Sequence, residues 1–213
     1  STPQDDIASD FVINCAGLHC DRVAKSAGLQ PDSSIVPFRG DYWKLASSGA
    51  HLVRHLIYPV PDPTLPFLGV HFTRMIGGGI EAGPNAVLAF KREGYQRTEF
   101  SLQDTWETFT FPGLYRFLKK YPGTTWSELR NSFSKVVFLK NLQRLIPDIR
   151  MEHISREGGS GVRAQAIHRD GSLLMDFSLE QKPGQIHLLN APSPGATASL
   201  AIGNYLIAQM LGG

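Results

Sequence analysis

Asp10-Phe11-Val12-Ile13-Asn14-Cys15-Ala16-Gly17 is a short apolar run closed by Ala-Gly, and Asp21-Arg22-Val23-Ala24-Lys25-Ser26-Ala27-Gly28 follows with helical spacing and a glycine stop. The pattern predicts a strand, a tight glycine turn and a short helix. At the other end, Gln185 to Leu189 reads as a strand and Thr197 to Leu211 as an apolar closing helix. Strand-to-helix units at both ends, with mixed segments between them, predict an α/β (α+β) protein whose ends meet in one layer. Residues 1–32 and 184–213 then form parts of one lobe, and residues 33–183 form a second lobe inserted between them.

Within the inserted lobe, β-rich runs appear at Asp41 to Leu45, His51 to Tyr58, Phe67 to Arg74 and Ile80 to Ala82. Pro59, Pro61, Pro63, Pro66 and Gly77-Gly78-Gly79 punctuate them, which predicts a largely antiparallel sheet with at least one hairpin. Ser101-Leu102-Gln103-Asp104 has the form of a helix N-cap, and helical spacing then runs on with breaks near Pro112, Pro122 and Pro147. Residues 101–146 therefore read as a helical insertion. Its clearest helix spans Ser127 to Leu145, with Leu129, Phe133, Val136, Val137, Lys140 and Leu145 on one mainly apolar face. After Gly158-Gly159-Ser160-Gly161, the runs Val162 to His168 and Ser172 to Ser178 read as strands.

Composition narrows the function. The 213 residues carry 21 Lys+Arg against 19 Asp+Glu, a formal charge of +2, so neither a basic nucleic-acid arm nor an acidic tail is present. With 42% hydrophobic residues, a chain this long can bury a substantial core. Cys15 and Cys20 are too few for a disulfide framework or a zinc site, which favours a reduced, intracellular compartment and no metal. No apolar run approaches the length of a membrane span, and the polar Ser1-Thr2-Pro3-Gln4-Asp5-Asp6 start carries no secretion signal. Ser1 in place of Met predicts a processed chain or a piece of a longer one.

Several residues could carry chemistry. Asn190-Ala191-Pro192-Ser193-Pro194-Gly195-Ala196-Thr197 joins a strand to a helix, so the free N–H groups of the helix start face whatever lies above the loop; it is equally an ordinary loop. In Gly161-Val162-Arg163-Ala164-Gln165, Arg163 follows a glycine loop where its fork could clamp a carboxylate, or could simply be a surface arginine. His71 shares a strand face with Thr73 and is either a general base or a packed strand histidine. Phe38-Arg39-Gly40-Asp41-Tyr42 and Ala89-Phe90-Lys91-Arg92-Glu93-Gly94-Tyr95 add cations and tyrosines, or else mark a strand start and a solvated basic turn.

Taken in order, these segments resemble the D-amino-acid-oxidase-like FAD flavoenzymes, in their L-2-hydroxyglutarate dehydrogenase/oxidase branch. The resemblance runs through Val12 to Leu18, Pro37 to Tyr42, Ile57 to Pro63, Pro66 to Arg74, Gly83 to Tyr95, Gly161 to Gln165 and Asn190 to Pro194. The Gly83–Tyr95 run is specific to that branch, and the Ala-Gly turn is shared with the wider family. The resemblance implies a mixed substrate lobe flanked by terminal pieces of a Rossmann-like FAD lobe. It also implies oxidation of a small dicarboxylic 2-hydroxy acid, L-2-hydroxyglutarate, to 2-oxoglutarate with FAD as hydride acceptor.

On that basis His71 is the catalytic base, and Arg163, Lys91, Arg39 and Tyr42 bind substrate. Ala16, Gly17, Pro194, Gly195, Ala196 and Thr197 line the cofactor. The family's G-x-G-x-x-G pyrophosphate turn does not occur in this sequence, so the chain reads as the C-terminal part of such an enzyme. A missing N-terminal half, or self-association through the unpaired edge of the FAD lobe, is the implied partner. A cytoplasmic location, with room for peripheral membrane contact, is the implied setting. The alternatives are an amino-acid or glycerol-3-phosphate oxidase/dehydrogenase of the same fold, and a catalytically inactive module.

Overall fold

The computed structural model describes residues 5–60, 69–122, 134–155, 158–192 and 194–211. Strand β1 (Val12–Asn14) leads through a 3-10 turn into helix α1 (Cys20–Ser26). The long β2 (Ser33–Lys44), β3 (His71–Arg74) and β4 (Ile80–Leu88) follow. Helices α2 (Leu102–Thr110), α3 (Pro112–Lys120) and α4 (Lys135–Gln143) come next, all within the expected insertion. The chain closes with β5 (Ser160–His168), β6 (Ser178–Lys182), β7 (Gln185–Asn190) and α5 (Ser199–Met210).

The two ends do meet. β1 pairs in parallel with β7, which forms an antiparallel hairpin with β6, giving a three-stranded sheet in the order β1-β7-β6. The other four strands form an antiparallel sheet in the order β3-β4-β2-β5, so β5 is an edge. The mixed α/β class and the antiparallel character of the middle are as the sequence predicts. Asn14 fastens the terminal layer: its amide nitrogen donates to the Cys20 carbonyl at 2.8 Å and lies 3.1 Å from His187 Nδ1, while its Oδ1 accepts the Ala16 N–H.

Some boundaries differ for identifiable reasons. β2 starts at Ser33, well before the expected Asp41, although Pro37 and Gly40 look like strand breakers. The Pro37 carbonyl accepts the Ala89 N–H just beyond the end of β4, so the missing proline N–H interrupts no bond to β5. His51 to Tyr58 is not a strand: residues Ser47–Leu52 form a 3-10 turn, and only Ile57 bridges to Phe72. Similarly, of Ser172 to Ser178 only Leu173 bridges, to Ile167, before β6 begins. The helix expected from Ser127 runs from Lys135, buries Phe138 and Leu142, and leaves Val136 exposed. Phe67 and Leu68, and residues 127–133, lie outside the described residues.

Three apolar clusters fill the layers. Phe72, Ile80 and Ala82 pack with Phe138, Leu142 and Ile149 on one face of the larger sheet. Val36, Phe38 and Ile167 pack under α3 through Leu114 and Phe117. α1 is the wedge between the sheets, its Cys20 and Ala24 meeting Ile35 and Ala166 on one side and Leu189 on the other. Leu114 and Phe117 reach this depth because α3 lies against backbone: a Cβ on Gly113 would stand 2.3 Å from the His168 carbonyl oxygen.

The solvated basic turn at Lys91-Arg92 is corrected at Arg92, which is buried. Its guanidinium binds both oxygens of Asp21 on α1, the Leu18 carbonyl and Glu107 of α2, while its N–H donates to Asp104 at 2.8 Å. Arg22 completes the cluster by binding Glu107 and Asp104. Burial alone pushes the Asp21 carboxyl up, but the bonds and charge of Arg92 outweigh it and hold the group below its ordinary 3.8.

Because the folded value is depressed, the stability Asp21 contributes is full above its unfolded value and is lost as pH falls through the folded one. Asp21→Asn leaves much of the Arg92 charge buried without its partner and should cost about 3 kcal/mol at neutral pH. It should also flatten the acid limb of stability. Urea unfolding across pH measures both, and an unchanged midpoint at neutral pH would assign the cluster no stabilising role.

Candidate active site

Alternation along β2 puts Val36, Phe38, Gly40 and Tyr42 on one face and Arg39 and Asp41 on the other. The register Phe38↔Arg163 and Gly40↔Gly161 brings Arg163 and Gly161 of β5 onto the first face. α3 covers that face at Val36, Phe38 and Ile167 but not at the Gly40 and Gly161 end. There a cavity of ≈ 650 Å³ opens, wrapping the free edge of β5 and facing the 190–195 loop. Tyr42, His71, Arg163, Gln165, Asn190 and Gly195 are among its lining residues.

Each polar group has a definite state. His71 Nδ1 lies 3.1 Å from the Gly69 carbonyl, which can only accept, so Nδ1 carries the proton and Nε2 keeps its lone pair. The imidazole stacks on Tyr58, with ring centroids 4.4 Å apart. Burial lowers the His71 pKa from 6.5, outweighing the opposing hydrogen bond to Gly69. Burial raises the Tyr42 phenol from 10.0 against the nearby Arg163 charge, so it stays a hydroxyl donor. Among the described ion pairs none uses Arg163.

The amides at the cavity floor are already committed. Asn190 donates to the Leu174 and Asp176 carbonyls, at 3.2 and 2.8 Å, and Gln165 donates to the Ala166 carbonyl. The remaining wall is apolar, with Phe38, Pro84, Leu174 and Met175. Three lining positions, Gly40, Gly161 and Gly195, carry no side chain. A Cβ built on Gly161 meets nothing within 4 Å, and one on Gly195 meets only Pro192 and Ala191 carbonyls at 3.8 and 3.9 Å, so a flat ligand can approach the backbone at both.

Of the residues singled out from sequence, the cavity gathers His71, Tyr42, Arg163 and Gly195. Arg39 lies on the opposite face of β2, buried, donating to Asp41 and to the Gln96 carbonyl. Lys91 sits beyond β4 with its ammonium 3.0 Å from Glu99. Neither lines the cavity, nor do Ala16 and Gly17 in the 3-10 turn region after β1, nor Pro194, Ala196 and Thr197 around Gly195. Tyr58, Gln165, Met175 and Asn190 were not singled out. Phe38 and Gly40 could have been found from Tyr42, since residues two apart on a strand share a face.

A model of FAD dependent oxidoreductases matches residues 1–209. The chain is 51% identical over 203 residues to the L-2-hydroxyglutarate dehydrogenase of Indibacter alkaliphilus, covering 95% of this chain and 51% of that protein. It is 45% identical over 199 residues to the Escherichia coli K12 protein of the same name, covering 93% and 47% respectively. Against the mitochondrial L-2-hydroxyglutarate dehydrogenase of Homo sapiens it is 44% identical over 207 residues, covering 95% and 44%. The chain therefore spans about half the length of these curated relatives. In fold it is similar to the crystal structure of glycerol-3-phosphate dehydrogenase from Bacillus halodurans complexed with FAD. The TM-score is 0.53, covering 96% of this chain and 33% of that one at 13% identity. A match from residue 1 to residue 209, with relatives aligned along nearly the whole chain, places the chain in the FAD dependent oxidoreductase family.

Proposed function

We propose that the chain is the substrate-binding part of an enzyme that oxidises L-2-hydroxyglutarate to 2-oxoglutarate. Residues 33–183 form its substrate lobe, and residues 1–32 and 184–213 form its share of the FAD lobe. The observation that carries the reading is the convergence on one cavity of a histidine with a free Nε2 and an arginine that no described ion pair uses. The names of relatives 44–51% identical to it supply the substrate.

The chain fits the flavin end of FAD. Gly161 and Gly195 leave backbone uncovered for a planar ring, and the wall between them is largely apolar. The pyrophosphate end would need a G-x-G-x-x-G turn, which these residues do not supply. FAD held there would supply the acceptor for the hydride at C2 of the substrate.

Arg163 pairs with a substrate carboxylate through its planar fork, which fixes the orientation of C2. The Tyr42 hydroxyl donates a second bond to the bound acid. His71 Nε2 takes the hydroxyl proton as the C2–H bond breaks and the carbonyl forms, leaving an imidazolium still held by the Gly69 carbonyl. The His71 pKa, held below 6.5 by burial, keeps the ring neutral and able to act as a base at neutral pH.

Flavin bleaching after anaerobic mixing of the FAD-loaded enzyme with substrate tests the reading. L-2-hydroxyglutarate should reduce the flavin rapidly, and glycerol 3-phosphate and amino acids should not; the reverse order would overturn it. Since the base acts in its neutral form, the rate should rise with pH through a pKa below 6.5 and then level off. His71→Asn should slow reduction by roughly 10²–10⁴-fold and abolish that acidic limb. A retained limb would assign the base to another group.

Arg163→Lys keeps the charge and loses the fork. Calorimetry should show 2-oxoglutarate binding weakened by about tenfold or more, in line with the roughly 1.5–3 kcal/mol of a charge-assisted bond. Unchanged affinity would return Arg163 to the surface. The 213-residue chain by itself should bind FAD weakly in a fluorescence titration. Stoichiometric retention would mean that its own residues cradle the phosphates.

A further inference from the structure

His71 belongs to β3, which lies at an edge of the larger sheet. On the inner side its register partner on β4 is Gly83, which has no side chain, and a Cβ built there would stand 3.0 Å from the Tyr42 ring. On the outer side the segment ending at Pro59 takes the place of a further strand. Ile57 and Phe72 exchange both backbone hydrogen bonds, at 3.0 and 2.9 Å, and Ile57 packs on the buried cluster that holds Phe72 and Phe138. Antiparallel pairing then sets Tyr58 opposite His71 on the same face. The Tyr58 ring lies on the imidazole, with centroids 4.4 Å apart and planes 22° apart.

The same segment supports the other hold on the ring. His71 Nδ1 is bonded to the Gly69 carbonyl, and Gly69 lies against Pro59, whose Cγ would stand 3.3 Å from a Cβ built on that glycine. Tyr58 therefore covers one face of the imidazole while Pro59 backs the residue whose carbonyl holds Nδ1. The hydrogen bond fixes which nitrogen carries the proton, and the flat stack limits the swing of the ring. Tyr58 is 47% exposed and does not line the cavity, so its influence there runs through the histidine. The charged and titrating groups that line the cavity with His71 are Arg163 and the Tyr42 phenol, which is raised above 10.0 and so uncharged. Glu81 of β4 is in register with Thr73 and Lys44 and not with His71.

We propose that Tyr58 is a positioning residue for the reaction: its ring, seated by the Ile57–Phe72 bridge, holds the His71 imidazole with Nε2 turned to the cavity. The inference rests on the role of base given to His71 above. Removing the Tyr58 ring frees the imidazole to swing and lets water reach it, and displacing a reacting group by about 1 Å can slow a step by roughly 10²-fold.

The test is single-turnover flavin reduction of the FAD-loaded enzyme by L-2-hydroxyglutarate, followed across pH and expressed per bound flavin. Tyr58→Ala should lower the limiting rate by roughly tenfold or more. Because burial is what lowers the His71 pKa, the same variant should move the acidic limb to higher pH, toward 6.5. Affinity for 2-oxoglutarate, held through Arg163, should stay within about twofold by calorimetry. Tyr58→Phe keeps the ring and should recover both the rate and the limb. Tyr58→Leu keeps apolar bulk without a flat face and should also lose rate by roughly tenfold, so the test does not hang on the alanine variant loading flavin. In a His71→Asn background, Tyr58→Ala should cost less than about twofold more, since its effect passes through the imidazole. A full rate and an unmoved limb in Tyr58→Ala and Tyr58→Leu, with the limb abolished in His71→Asn, would overturn this inference alone, and so would variants that lose only flavin content. A limb retained in His71→Asn would overturn the base assignment and this inference with it.

Discussion

Burying the guanidinium of Arg92 obliges the chain to bring carboxylates to it. Asp21, Glu107 and the Leu18 carbonyl meet its guanidinium, and Asp104 takes its backbone N–H. These partners come from the continuous turn–α1 segment and from α2, so both are fixed against the Arg92 loop. Displacing any of them would strand a charge away from water, at several kcal/mol. The same demand explains the reversed orientation of α2. Its acids must point inward to serve two arginines, and helical geometry then turns Leu102, Trp106 and Phe109 to the outside. In this part of the molecule the polar partners decide the packing and the apolar residues follow.

The cavity owes its place to a similar competition for the faces of β5. α1 covers one face of that strand near Ala166, and α3 covers the other near Ile167. Neither reaches Gly161 to Arg163, so one strand is packed at one end and open at the other. The amides that might have met a ligand, Gln165 and Asn190, are held by backbone carbonyls and give the floor its shape. The groups to which the proposed reaction assigns roles are then the imidazole of His71 and the fork of Arg163, a division in which amides already bonded to backbone hold the site open and the charged or titrating groups are kept for the proposed ligand.

The periodic parts of the chain were legible without coordinates. The strand–turn–helix at Val12 to Ser26, the β7–α5 unit and the Ser101 cap, whose hydroxyl accepts the Asp104 N–H at 3.2 Å, all follow from local spacing. β2 was not fully legible, because Pro37 and Gly40 carry the signature of a turn and only the pairing on either side cancels it. That omission has a direct cost at the site. Once Ser33–Lys44 is one strand, parity alone sends Arg39 to the face away from Tyr42 and Arg163. Arg92 was illegible for a different reason: its partner Asp21 lies 71 residues away, and nothing in Lys91-Arg92-Glu93 distinguishes a buried cation from its solvated neighbours.

The two constraints are connected through α1. One wall of the cavity is β5, in the four-stranded sheet; the other is the 190–195 loop, which leaves the three-stranded sheet at β7. The element wedged between those sheets is α1, with Ile35 and Ala166 on one side and Leu189 on the other. Its position depends on those apolar contacts and on Asp21 and Arg22, the residues that tie it to Arg92 and α2. The separation of Arg163 from Gly195 is therefore set by a wedge whose seat is a buried ion cluster that does not line the cavity. Close-packed interiors transmit such displacements because there is little free volume to absorb them. The proposed reaction holds a substrate carbon at a fixed distance from a flat ring, and under that proposal a rigid seat for the wedge serves function as well as structure.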